Sequence, residues 1–123
     1  MNADAHRDSL IRYFADLRNG HGSVFLIAKT VADVLALQPH DVIYQARKSG
    51  GMALVTWRSL WAAELSLQKV NVNGEWRIVE LSAAAIKQFL DKTETFQGGR
   101  YVALCDAVLE GETPHFSRRQ EKL

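Results

Sequence analysis

The residues that could do chemistry are few and far apart. The four histidines, His6, His21, His40 and His115, stand away from one another. None pairs with a second His, a Cys or an acidic residue at metal-ligand spacing. Cys105 is the single cysteine, so an intrachain disulfide and a multi-cysteine metal site are both excluded, which fits a reducing cytoplasm. It lies in the apolar run Val102-Ala-Leu-Cys-Asp-Ala-Val108 and reads as a buried structural thiol, because a reactive one needs exposure and positive neighbours. The carboxylate pairs Asp4/Asp8 and Glu110/Glu112 fall at ends of elements, where they suit helix termini and solvent rather than acid/base catalysis. No serine occupies a nucleophile elbow. Gly20-His21-Gly22 and Gly98-Gly99 match neither a P-loop nor a dinucleotide fingerprint. The expectation is a protein that is not an enzyme, with no cofactor and no metal.

What is left is non-covalent binding, and composition limits its kind. A chain of 123 residues is one domain, 1–123, by length, and 47% hydrophobic residues are enough for a core without staples. The net charge is +1. A dedicated nucleic-acid domain carries a clear positive excess, so any such role needs locally clustered charge. The longest apolar run, 23–28, is too short to span a bilayer, and MNADAHRDS has no apolar signal segment. Cytoplasmic placement without a membrane partner is expected.

The elements that would position binding residues follow from periodicity. Leu10, Tyr13, Phe14 and Leu17 predict a helix from Asp8 or Ser9, stopping at Asn19-Gly20, with residues 1–7 loose. Residues 23–28 read as a strand with Thr30 capping the next helix, or as the first turn of a longer helix. Val31, Val34, Leu35 and Leu37 recur at helical spacing. Gln38-Pro39-His40 breaks the pattern, and a further helix is expected from Asp41 to Ser49, ended by Gly50-Gly51. Met52–Trp57 reads as a strand, and 58–64 is ambiguous. Residues 65–72 and 75–81 around Asn73-Gly74 predict a type I′ hairpin. Ser82 should cap a helix through Lys92, with Ile86, Phe89 and Leu90 inward. A last helix is expected over 100–110, with Tyr101, Leu104, Cys105, Val108 and Leu109 on one stripe, followed by a flexible tail, 112–123. Trp57, Trp61 and Trp76 fall around the sheet, either as a core layer or with Trp61 exposed at an interface.

Thr30 to Lys48 resembles the helix-turn-helix of the winged-helix DNA-binding family, and the likeness extends over residues 8–81. Val31, Ala32, Leu35, Leu37 and Val42 match its inward positions. Ala36 stands where a turn glycine is common, Gln45 where an apolar residue is usual, and the hairpin comes late. The resemblance implies an α+β fold: a winged-helix-like core, 8–81, with a small antiparallel sheet, and two C-terminal helices as a hairpin over 82–111. It further implies a recognition helix presenting Gln38, His40, Ile43, Tyr44 and Arg47 to base edges, where amide and guanidinium groups can read a pair bidentately. Lys48, Lys69 and Arg77 would meet phosphates. The expected function is a homodimeric accessory or transcriptional regulator acting by occupying duplex DNA. The alternative is a protein-interaction module that does not bind DNA.

Overall fold

Alternation along two distant segments builds the centre of the fold. In the computed structural model, which describes residues 3–30, 36–70, 73–97, 100–107 and 116–123, β1 (Ser23–Lys29) pairs antiparallel with β4 (Trp76–Ser82) from Ser23↔Ser82 to Lys29↔Trp76. Successive side chains point to opposite faces. Val24, Leu26 and Ala28 therefore join Val79 and Leu81 on one side. There they meet Leu10, Phe14 and Leu17 of α1 (Ala3–Arg18) and Ile86, Phe89 and Leu90 of α3 (Ala83–Gln97). Phe25, Ile27, Trp76 and Ile78 face the other way, toward Ala62, Ala63 and Leu67 of α2 (Leu60–Val70). Both faces are covered, which is why 75–81 carries apolar residues at both parities.

A second sheet has the order β2-β3-β5-β6, formed by Tyr44–Ala46, Met52–Thr56, Tyr101–Ala107 and Phe116–Lys122. Its central pair, β3 and β5, is parallel, with the chain passing through α2, β4 and α3 between them. Strands buried on both faces read as continuous apolar runs, as MALVT and YVALC do. The two sheets are tied where Phe25 and Trp57 exchange backbone bonds of 2.9 and 2.8 Å, and where Ala28 bridges Val42.

The α+β class holds, with corrections to its parts. The helix expected over 41–49 does not form: Pro39–Asp41 is one 3-10 turn, Val42 bridges β1, and Tyr44–Ala46 is a strand. Val42-Ile43-Tyr44 is β-branched and aromatic, which favours a pleated surface. Gly50 and Gly51, both at positive φ, close the β2–β3 hairpin instead of ending a helix. Residues 31–35, the body of the expected first motif helix, lie outside the described residues; Leu37 and Val42 are buried as expected.

The expected strand from residue 65 is the second half of α2. Ser59 caps it, its Oγ accepting from the Ala62 N–H at 3.2 Å, and the sequence LWAAELSLQK consists mostly of strong helix formers. Asn73-Gly74 is a turn with Gly74 at φ +71°, but it joins α2 to β4, not strand to strand.

Three further corrections concern the ends. The helix from Tyr101 is strand β5, so 82–111 is not a helical hairpin. The expected tail forms β6, pairing with β5 from Ala107↔Phe116 to Tyr101↔Lys122. Its charged sequence is that of an edge strand, which discourages pairing with a further chain. Helix α1 begins at Ala3, inside the stretch expected to be loose. The α3 expectation stands in its cap and inward stripe, while the helix runs past Lys92 to Gln97: Ser82 Oγ accepts from the Ala85 N–H at 3.2 Å, and Ile86, Phe89 and Leu90 are buried.

Candidate functional site

Helix α2 crosses the outer face of the sheets without covering all of it. Beside its last turns lies a cleft of about 340 Å³. Ser66, Lys69 and Val70, at i, i+3 and i+4, form one wall. Ile27 of β1, Ile43 to Gln45 at β2, Val55 of β3, Trp57 and Cys105 of β5 form the rest. Strand parity explains this composition: Ile27, Ile43, Val55, Trp57 and Cys105 all belong to the α2 side of the core.

Two polar atoms in this lining are buried without a hydrogen-bond partner, Trp57 Nε1 and Gln45 Oε1. The Trp57 side chain is enclosed, with the residue only 4% exposed. An indole N–H can only donate, and leaving it unpaired costs about 1–3 kcal/mol. The buried threonines are satisfied: Thr56 Oγ1 donates to Ala103 O at 3.1 Å and Thr93 Oγ1 to Leu90 O at 2.9 Å. Elsewhere among the described residues, the buried polar atoms without a hydrogen bond are the Tyr44 hydroxyl and guanidinium nitrogens of arginines, on side chains held through other contacts. The orphaned donor and acceptor at the cleft are of a different kind. Each belongs to a side chain that lines an opening large enough for a small ligand.

The Tyr44 ring points the other way, opposite Leu54 and against the α1–α3 core. Burial pushes its phenol well above the ordinary value of about 10, because a phenolate is poorly solvated there. It is therefore a neutral hydroxyl across the physiological range. Lys69 is the one charged side chain among the described lining residues. Such a lining can hold an apolar body and fix its polar end.

The residues expected to read DNA are not brought to one face. Lys69 stands at the cleft, and Tyr44 borders it while turning its ring to the α1–α3 core. Gln38 and His40 are exposed around the 3-10 turn, where the Asp41 carboxylate accepts from the Gln38 backbone N–H at 2.9 Å and stands 3.5 Å from His40 Nε2. Arg47 does not project outward: its guanidinium stacks 3.4 Å above the Tyr101 ring and Nη1 donates to Gly50 O at 2.8 Å. Lys48 is exposed on the β2–β3 loop. Arg77 sits opposite Ala28 on β4, on the face that carries Val79 and Leu81, away from the cleft.

Sequence reasoning does not single out Ile27, Val55 or Ser66, and marks Gln45 only as a polar residue where the family pattern has an apolar one. The available signal was Gln45 itself, a polar residue at the parity of Ile43 in a β-favouring run. Trp57 and Trp76 pack into the layer between α2 and the sheets, while Trp61 is 51% exposed. Among the described residues no helix is long and apolar enough to cross a membrane. No family model matches this chain, and no curated protein or solved structure matches it either.

Proposed function

We propose that this protein is a non-covalent binding module whose working surface is the cleft between α2 and the sheets. The observation that carries the reading is the pair Trp57 Nε1 and Gln45 Oε1, buried and unpartnered on side chains of a mostly apolar opening. A bound molecule returns the hydrogen bonds those atoms lost on folding and covers the apolar wall, so occupancy and stability rise together. The test uses the neutral dye Nile red and the variant Ser66→Phe, which places a ring in the cleft from its half-buried helical wall. The expected result is saturable dye fluorescence with the parent and its loss in the variant, with the unfolding transition retained. Dye binding that is unchanged in Ser66→Phe overturns the reading.

Duplex DNA binding is the second reading. The feature in its favour is the β2–β3 hairpin, a wing-like projection whose loop holds Arg47 and exposed Lys48 beside Gly50-Gly51. Contacts from such a loop would be to phosphates and steeply salt-dependent. A mobility-shift titration at two salt concentrations tests it; no shift at low salt ends it. The protein-interaction alternative rests on Leu60 and Trp61, adjacent and half exposed at the start of α2. A Trp61→Ala variant that keeps its partner in a pull-down would remove that support.

A further inference from the structure

The chemistry of the cleft lining narrows its occupant, given that the cleft is a ligand site. We propose that the occupant is a small apolar carboxylate, an aryl or alkyl body carrying one ionised acid group. Ile27, Ile43, Val55 and Val70 with the Trp57 ring offer a body nothing to hydrogen-bond, so the body is hydrocarbon. The polar lining groups are mostly donors. Trp57 Nε1 donates only, Ser66 carries a hydroxyl, and Lys69 carries three N–H bonds and a full positive charge. No Asp or Glu is among the described lining residues. Gln45 is the one acceptor with a vacancy, and turning its carboxamide by half a rotation presents the NH₂ instead.

One effect opposes an anion here. The C-terminal turn of α2 lies at the cleft, and a helix C-terminus carries roughly half an elementary negative charge. Lys69 stands in that same turn with a whole unit of the opposite sign, in an interaction of its own that a ligand carboxylate would share. Hydrogen bonds between ionised partners are also about twice as strong as neutral ones, so a carboxylate gains more from this donor set than an alcohol or an amide. Trp57 Nε1 is covered by its neighbours in the wall, so a ligand receives its N–H only with a turn of the indole.

The experiment follows the indole N–H resonances of the ¹⁵N-labelled full chain, with Trp57 assigned by the peak that Trp57→Phe removes. Three ligands share one skeleton: 2-naphthoate, 2-naphthylmethanol and 2-naphthylmethylamine. The Trp57 resonance should shift saturably with naphthoate, at an affinity about tenfold or more above that of the alcohol, and Lys69→Gln should erase most of that margin. Lys69 is exposed, so the variant keeps the fold. If the alcohol or the amine binds as tightly as naphthoate, the carboxylate assignment is overturned while the cleft stands as a ligand site. If none of the three moves the Trp57 resonance, both conclusions fall.

Discussion

Replacing Trp57 by Phe separates stability from binding in a way that tests the unpaired indole directly. Trp57 is nearly enclosed, so an ordinary truncation there would be costly. Trp→Phe removes the apolar equivalent of about two to three methylenes, worth roughly 2 kcal/mol at about 0.8 kcal/mol each. The same change removes an indole N–H buried without an acceptor, a relief of about 1–3 kcal/mol. The two terms nearly cancel. Urea unfolding should therefore place Trp57→Phe within about 1 kcal/mol of the parent, with an unchanged m-value. Affinity for naphthoate should still fall about fivefold or more, since the donor is gone. The backbone pairing of residue 57 with Phe25 is independent of the side chain and stays in place. A destabilisation above about 3 kcal/mol would refute the reasoning, because it would show that the N–H is satisfied in the folded protein.

Leu104 is fully buried on β5, and Leu104→Ala should cost about 2–5 kcal/mol in urea unfolding, independent of protein concentration; a cost below about 0.5 kcal/mol would contradict the central position of the strand. Gly74→Val should cost about 1 kcal/mol or more in thermal unfolding because φ there is +71°; open space around the site leaves backbone strain as the sole cause, so a neutral result contradicts it. The raised Tyr44 phenol means the folded state holds a proton that the unfolded chain releases near pH 10. Its contribution is fully present below that pH and is lost as pH rises toward the folded value. Unfolding between pH 8 and 11 should show a decline that Tyr44→Phe reduces, and identical slopes would refute the assignment.

The parts of the fold legible in the sequence are those where local and tertiary preferences agree. Helix α3 carries its own cap at Ser82 and a clear inward stripe, and β3 is bounded by glycines on one side. Residues 42–46 and 101–107 depart from expectation for one shared reason. Each is a short apolar run compatible with either period, and only its partners decide between them. Val42 becomes extended by meeting Ala28, and Tyr101 to Leu104 by lying parallel to β3, contacts that no local window contains. In 65–70 the propensity of Leu, Gln and Lys for helix outweighed an apparent alternation. The cleft is partly legible: Lys69 stands out in the sequence as a cation, while the parity that turns Gln45 to the cleft depends on the strand assignment.

The parallel pairing of β3 with β5 also bears on when the cleft exists. A parallel neighbour cannot be reached by a tight turn, so β5 docks only after α2, β4 and α3 have been threaded between the two strands. The wall runs from Ile27 to Cys105 and is assembled from contacts of large sequence separation. Loop-closure entropy must be met before such contacts reward it. The cleft is thus complete only where β5 lies beside β3, so it exists in the folded chain and not in its separate segments. A ligand held by that assembled wall binds the folded state alone and draws the folding equilibrium toward it by mass action.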